Sequence, residues 1–112
     1  RAMPSRNKPL DWSATAAREL IDGLIHIAED SPQGARLVKG RIDRAGRFLE
    51  LNPRMGKPGA VAGTREYPVP KTRYTLIYEE GVDAIHILHC WHQSRQRILD
   101  DARSVDDDGW KR

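Results

Sequence analysis

The segment that decides the fold covers residues 85–91 and reads Ile85-His86-Ile87-Leu88-His89-Cys90-Trp91. Its β-branched and apolar residues favour a strand. Successive side chains of a strand point to opposite faces of the sheet. The two predicted faces are Ile85, Ile87, His89 and Trp91, and His86, Leu88, Cys90 and His92. Because apolar residues occur on both faces, we predict that this strand lies inside a sheet.

Two further strand patterns precede this segment. Tyr67 and Val69 come before a turn at residues 70–72, and residues 74–78 form an aromatic and aliphatic run. A second turn at residues 79–83 contains a glycine and leads into the deciding segment. The order predicts a meander of three antiparallel strands.

The N-terminal half of the chain is predicted to be a helix hairpin. Ser13 supplies an N-cap, and apolar residues follow at helical spacing: Ala17, Leu20, Ile21, Leu24, Ile25 and Ala28. Ser31-Pro32 begins a second helix that Asn52-Pro53 ends, with the apolar stripe Ala35, Val38, Ile42, Ala45 and Leu49. So short a turn makes the two helices antiparallel neighbours.

Helices followed by strands predict an α+β domain, in which the antiparallel helix hairpin packs on a three- to four-stranded, mainly antiparallel sheet. The fourth strand would lie near residues 9–12, at an edge or in the middle, and Pro9 favours an edge or a strand start. We assign one domain to residues 1–96. Residues 97–112 are expected to be a short C-terminal helix or a flexible acidic tail.

Composition narrows the class of protein. The 112 residues suffice for one small domain, and no apolar run approaches the about 18 residues of a membrane span. Cys90 is the only cysteine, so an internal disulfide and a cysteine-built zinc site are excluded, and the four histidines suggest no metal set. The N-terminus has no apolar signal region, so we expect a cytoplasmic protein. We also expect no membrane contact and no cofactor.

Charge is distributed unevenly along the chain. The net charge is +3, but residues 41–75 contain eight Lys or Arg and three Asp or Glu residues, a local charge of +5. This basic middle, which includes the Gly- and Pro-rich loop at 53–63, is either a solvated face or a surface for phosphates or an acidic protein.

Several motifs, in order along residues 11–95, resemble the RelE/ParE superfamily of toxins. They are Trp12-Ser13, Asp30-Ser31-Pro32, Gly56-Lys57-Pro58-Gly59, Gly63-Thr64-Arg65-Glu66, Tyr74 with Tyr78, Ile85-His86-Ile87-Leu88, and His92 with Arg95. The resemblance implies a ParE-like toxin of the plasmid stabilisation type, in a type II toxin-antitoxin system. A cognate antitoxin would neutralise it in a hetero-oligomer, laying an amphipathic helix or an extended segment across the toxin.

The resemblance leaves the target open between two classes. ParE-like members poison DNA gyrase and have no established catalytic residue, whereas RelE-like members cut mRNA on the ribosome. If the chain is a nuclease, the catalytic candidates are His92 as acid or base and Arg65, Arg95 and Arg73 as phosphate ligands. Against this, nucleases of the superfamily usually have Arg on the middle strand where this chain has Thr75. The absence of this arginine favours gyrase inhibition. A third alternative is a non-toxic relative that only binds an antitoxin.

Five cations are the candidates for binding the antitoxin or the target: Arg54, Lys57, Arg65, Lys71 and Arg73. Two of the singled-out side chains also have structural interpretations. Arg65 could anchor the loop to the sheet, and His89 could be a satisfied histidine of the core.

Overall fold

The computed structural model describes residues 8–93, which form a helix hairpin and a five-stranded sheet. The elements are β1 (Leu10–Trp12), α1 (Ala14–Asp30), α2 (Pro32–Leu51), β2 (Lys57–Pro58), β3 (Thr64–Pro68), β4 (Tyr74–Glu80) and β5 (Ile85–His92). The predicted α+β class and the helix hairpin are confirmed. Arg95 and the predicted tail at 97–112 lie outside the described residues.

Both helices begin at the predicted serine caps. The Ser13 hydroxyl accepts a hydrogen bond from the Ala16 amide at 2.9 Å, and the Ser31 hydroxyl accepts one from the Gly34 amide at 2.9 Å. Each cap satisfies an amide that has no partner within its helix. Ser13 also donates its hydroxyl to the Leu88 carbonyl at 3.1 Å, so the start of α1 is fastened to β5.

The sheet has the order β1-β5-β4-β3-β2. The predicted meander is β3, β4 and β5, and the predicted short strand is β1, which lies at the edge and runs parallel to β5. The sheet is therefore mixed, with one more strand than predicted. The addition is β2, in the segment predicted to be a loop, where Lys57 pairs with Glu66 and Pro58 with Arg65.

A β-bulge changes the predicted face pattern of β5. Ile77 of β4 pairs with His89, but the next residue, Tyr78, pairs with Ile87, so Leu88 has no partner in the register. The extra residue reverses the alternation of side chains beyond it. Cys90 therefore joins Ile87 in the core, and the prediction that His89 continues the face of Ile85 and Ile87 is wrong. The prediction that the strand lies inside the sheet is confirmed, since β5 runs between β1 and β4.

The core lies between the hairpin and one face of the sheet. Its buried members are Ala16, Ile42, Ala45, Leu49, Val69, Tyr74, Leu76, Tyr78, Ile85, Ile87 and Cys90. The predicted stripe of α1 is offset from the buried one: of its members only Leu20 packs against the core, together with Ala16 and Ile27, which were not predicted, whereas Ile21 and Ile25 are 54% and 57% exposed. The helix thus keeps apolar side chains on its outer surface.

Candidate functional site

The structure separates the five candidate binding cations into two groups. Arg65 pairs with Tyr78 in the register of β3 and β4, whereas Arg73 immediately precedes Tyr74 at the other end of β4. Five residues of strand separate these two positions, roughly 16 Å at about 3.3 Å per residue. Arg54 and Lys57 lie on the Arg65 side, and Lys71 lies on the Arg73 side.

Arg65 holds the loop that follows α2. Its Nη1 donates a hydrogen bond to the Gly56 carbonyl at 2.8 Å. Beside it, the buried Tyr78 hydroxyl donates to the Pro53 carbonyl at 2.8 Å and accepts from the Gly56 amide at 2.9 Å. Burial raises the pKa of Tyr78 above its ordinary value, which keeps the phenol protonated and able to donate. The structural interpretation of Arg65 as a loop anchor is therefore confirmed.

Two of the family motifs, Gly56-Lys57-Pro58-Gly59 and Gly63-Thr64-Arg65-Glu66, contain glycines that this loop requires for steric reasons. A Cβ on Gly56 would lie 2.7 Å from the Tyr78 hydroxyl oxygen, closer than van der Waals contact permits. Gly63 has φ +86°, a left-handed conformation that glycine adopts without steric cost. These motifs shape the connection between α2 and β3.

Arg54 belongs to a small ion-pair network around Glu80. The Glu80 carboxylate contacts Lys8 Nζ at 2.8 Å and Arg54 Nε at 3.3 Å. The hydrogen bond from Lys8 is the main reason that the pKa of Glu80 lies below its ordinary value. Lys57 is exposed and has no ion-pair partner among residues 8–93.

Two of the other catalytic candidates, His92 and Arg73, lie at the opposite end of the sheet. Tyr74 pairs with His92, with their rings edge to face and their centroids 5.2 Å apart. The Gln93 amide donates to the Arg73 carbonyl at 2.8 Å, so Arg73 lies beside His92. Thr75, the residue at the position that usually bears arginine, is 7% exposed and pairs with Trp91. The structure thus places the backbones of Arg73 and His92 at the same end of the sheet, gives no contact between their side chains, and leaves Arg65 at the other end.

Glu19 of α1 is a central polar residue that the sequence interpretation missed. One carboxylate oxygen accepts the Cys90 amide at 2.9 Å, and the other accepts Trp91 Nε1 at 3.0 Å and contacts His89 Nδ1 at 3.2 Å. β1 pairs only with residues 85–87 of β5, so beyond them the Cys90 amide has no strand partner on that side. Glu19 supplies the missing acceptor, and it satisfies His89, which is about a third exposed instead of lying in the core.

A groove between α2 and the β3–β4 turn was also missed. It has a volume of about 430 Å³ and is lined by Leu37, Arg41, Arg44, Ala45, Phe48, Tyr67, Pro70 and Lys71. The helical members recur at i, i+4, i+7 and i+11, so they form a second stripe on α2 beside the core stripe. That spacing was readable in the sequence, but the arginines in it obscured the apolar pattern.

The described residues offer little for redox or metal chemistry. Burial, together with the nearby Glu19 carboxylate, raises the pKa of the Cys90 thiol to about 12, so the thiol is unreactive at neutral pH. Residues 8–93 contain no cluster of His, Cys, Asp or Glu side chains that could hold a metal ion. Neither helix in this range is long and apolar enough to cross a membrane.

Comparison with known proteins identifies the family. Residues 10–97 match the family model described as the ParE toxin of the type II toxin-antitoxin system parDE. The chain is 30% identical over 94 residues to a Sinorhizobium fredii (strain NBRC 101917 / NGR234) protein named "Putative toxin Y4kP", covering 82% of this chain and 97% of the relative. It also matches the fold of a chain from the chromosomal ParDE system of P. aeruginosa, with a TM-score of 0.69, 22% identity, and coverage of 79% of this chain and 98% of that one. The chain therefore belongs to the ParE toxin family of type II toxin-antitoxin systems.

Proposed function

We propose that this toxin inhibits DNA gyrase in the cytoplasm and that a cognate antitoxin neutralises it within a toxin-antitoxin hetero-oligomer. The observation that carries the proposal is the middle strand, where the buried Thr75 occupies the place of a phosphate-binding arginine. A binding inhibitor needs only a complementary surface, whereas RNA cleavage needs charged groups converging on one phosphate.

The distribution of cations supports an inhibitor that acts by binding. When the 2′-hydroxyl attacks the adjacent phosphorus and displaces the 5′-oxygen, the reaction requires a base for the hydroxyl, an acid for the leaving oxygen and cations around the same phosphorus atom. Arg65 donates Nη1 to the carbonyl of Gly56 and lies at the opposite end of the sheet from His92. Among residues 8–93, no candidate cation has a side-chain contact with His92 that would form such a cluster, although Arg73 lies at the same end of the sheet.

The proposal is tested by a supercoiling assay with purified gyrase and the full chain. We expect loss of negative supercoiling, reversed by adding the protein encoded beside the toxin gene, and a DNA-damage response in cells that express the toxin alone. Unchanged supercoiling at a large molar excess of folded toxin, without a damage response, would rule out gyrase as the target.

Charge reversal at exposed cations can locate the gyrase surface. Lys57 and Arg73 are exposed at opposite ends of the sheet and have no ion-pair partner among the described residues. We expect Lys57→Glu or Arg73→Glu to weaken inhibition about tenfold, the effect of losing about 1.4 kcal/mol of binding free energy. The matched control is Arg36→Glu, an equally exposed reversal outside the candidate set.

The alternative is a ribosome-dependent mRNA endoribonuclease that would use His92, and the Arg73 backbone lies at the same end of the sheet, opposite Gln93. This alternative predicts translation-dependent cleavage of mRNA that falls steeply in His92→Ala. Intact transcripts in a translating extract would exclude it. If expression of the toxin without its antitoxin harms neither supercoiling nor transcripts nor growth, the chain is instead a non-toxic, antitoxin-binding relative.

A further inference from the structure

The outer face of α1 lies opposite the face that packs on the core, and its centre is apolar. Ile21 and Ile25 are 54% and 57% exposed, whereas Ala16, Leu20 and Ile27 of the same helix lie in the core or pack against it. Residues four apart lie one above the other on a helix, so the two isoleucines form one continuous patch. A contiguous apolar patch with polar residues around it is typical of an interaction surface.

Charged residues of opposite sign lie at the two ends of this patch. Arg18 is three residues before Ile21, and Glu29 is four residues after Ile25, so both lie on the same face. Arg18 has no ion pair among residues 8–93, and the only ion pair of Glu29 in that range is with the exposed His26, at 3.6 Å. The α1 outer face is defined here by six exposed residues: Arg18, Ile21, Asp22, Ile25, His26 and Glu29. It has a cationic N-terminal end, an apolar centre and an acidic C-terminal end.

This order of residues is self-complementary when two copies of α1 run antiparallel. A two-fold axis near residues 23–24 would place Arg18 of one copy opposite Glu29 of the second copy, since both residues are equally far from that axis. The isoleucines of the two copies would meet at the centre, and Asp22 would lie opposite His26. A symmetric dimer forms each of these contacts twice.

Other occupants complement the α1 outer face less well. Asp22 and Glu29 outnumber Arg18, so an acidic protein segment or a nucleic acid would meet repulsion there. Two parallel copies of the helix would place Arg18 against Arg18 and Glu29 against Glu29. An antiparallel second copy is the partner that matches both the charges and the apolar centre.

We propose that the α1 outer face is a self-association surface through which two copies of this chain form a symmetric dimer. The contact covers residues 18–29, roughly 16 Å of helix at about 1.5 Å per residue. Such a contact is at the small end of specific interfaces, below about 1,200 Å², so we expect a dissociation constant in the micromolar range. The dimer goes beyond the proposed action on gyrase, and it involves none of the candidate binding cations.

Sedimentation velocity of the purified full chain over a wide range of concentrations measures the self-association. We expect the wild type to change from monomer to dimer as its concentration rises through the micromolar range. Ile25→Glu should weaken the dimer by about tenfold or more, because it puts a carboxylate from each copy into the apolar centre. The matched control is Val82→Glu, which should leave the dimer unchanged because Val82 is 90% exposed and lies between β4 and β5, outside α1.

Charge reversal tests the antiparallel arrangement itself. Arg18→Glu places like charges opposite Glu29, and Glu29→Arg places like charges opposite Arg18, so each variant alone should dimerise about tenfold more weakly than the wild type. An equimolar mixture of the two variants should form a heterodimer, because every reversed residue then faces a residue of opposite sign. Arg36→Glu, an exposed reversal on α2, is the control that should have no effect.

Circular dichroism of each variant establishes that the fold is retained, and three outcomes would overturn the proposal. If the wild type stays monomeric at every concentration, the α1 outer face does not self-associate, whereas the proposed inhibition of gyrase is unaffected. If the wild type dimerises but Ile25→Glu and the mixed charge variants behave like it, the copies meet through another surface. If the wild type is monomeric and Ile25→Glu instead weakens binding of the protein encoded by the adjacent gene, the face belongs to that partner.

Discussion

The Tyr78 side chain explains why glycine occupies position 56 in the family motif at residues 56–59. Its hydroxyl is buried between the Pro53 carbonyl and the Gly56 amide, and it leaves no room for a side chain at position 56. Gly56 and the Tyr78 hydroxyl are thus two parts of one contact. Arg65 completes it from the neighbouring strand. The motif therefore identifies the scaffold, whichever target the toxin has.

We predict that Tyr78→Phe destabilises the fold by about 1–3 kcal/mol, because it leaves a buried donor and a buried acceptor without their partner. Urea unfolding followed by circular dichroism measures the change. The control is Tyr67→Phe, since the Tyr67 hydroxyl makes no hydrogen bond with the residues that the structure describes. Equal stability of the two variants would mean that the hydroxyl of Tyr78 contributes nothing to the loop.

Glu19 supplies hydrogen-bond acceptors at the part of β5 that β1 does not cover. Its carboxylate accepts hydrogen bonds from the Cys90 amide and the Trp91 indole, both of which would otherwise lack an acceptor in the described fold. We expect Glu19→Ala to cost about 1–3 kcal/mol and to accelerate hydrogen exchange of the Cys90 amide. Glu19→Gln keeps one oxygen acceptor and should recover part of the loss.

A matched variant on the same helix isolates this effect. Glu29 is 68% exposed, and its only ion pair among residues 8–93 is with His26, at 3.6 Å. Glu29→Ala should therefore leave both the stability and the exchange of the Cys90 amide unchanged, since exposed pairs contribute little. Slow exchange at Cys90 in Glu19→Ala would show that another group protects this edge.

At the scale of elements, the short edge strand β1 depends on contacts that flank it. The Ile85 amide donates to the Pro9 carbonyl at 2.9 Å, and the Ser13 amide donates to the Ile87 carbonyl at 3.0 Å. Just before β1, Lys8 reaches Glu80 at the end of β4. The N-terminal strand is thus fastened to its neighbour β5 by backbone hydrogen bonds on both sides of it, and Lys8 adds a contact with β4.

The lowered pKa of Glu80 gives this attachment a pH dependence. A carboxylate whose pKa is lower in the folded state stabilises the fold fully above its unfolded pKa of about 4.3, and the contribution is lost as the pH falls through the folded value. We therefore predict that Lys8→Ala lowers stability at pH 7 but narrows its difference from the wild type below about pH 4.

Denaturant unfolding at several pH values measures this difference. The control is Lys39→Ala, which breaks an exposed pair between Lys39 and Asp43, with side chains 55% and 42% exposed, and should have little effect at any pH. A loss of stability in Lys8→Ala that is the same at pH 3 and pH 7 would contradict an electrostatic role for the pair.

At the scale of the whole molecule, several large apolar side chains lie on the surface and not in the core. Besides the groove residues, Ile21 and Ile25 are more than half exposed on α1. A free toxin with such surfaces is expected to gain stability from a partner that covers them. Binding to the folded state alone stabilises by about 2.7 kcal/mol when the free partner is at 100 times Kd.

We therefore predict that the adjacent gene's protein raises the melting temperature of the toxin in a concentration-dependent manner. Differential scanning fluorimetry at a fixed toxin concentration measures the rise. For a domain of this size, 2.7 kcal/mol corresponds to more than about 10 °C. An unchanged melting temperature for the wild type would contradict the partnership itself.

The sequence by itself determined the order of the elements other than β2, the two helix starts and the interior position of β5, because each depends on local signals. Ser13 and Ser31 satisfy amides within their own first turn, and the apolar run of β5 reports burial on both faces without reference to any other strand. The family also follows from motifs that are short and ordered along the chain. These features need only the chemistry of neighbouring residues.

The tertiary structure alone decided where side chains from distant elements meet. The bulge at Leu88 depends on the register against Ile77 and Tyr78, so no property of β5 itself predicts that Cys90 is buried and His89 is not. Glu19 and Cys90 are 71 residues apart, and their contact exists only because α1 lies along the open edge of the sheet. The five candidate cations, which are close together in the sequence, lie at two ends of the sheet because the strands separate them. The role of Arg65 as a loop anchor likewise depends on its tertiary contact with Gly56.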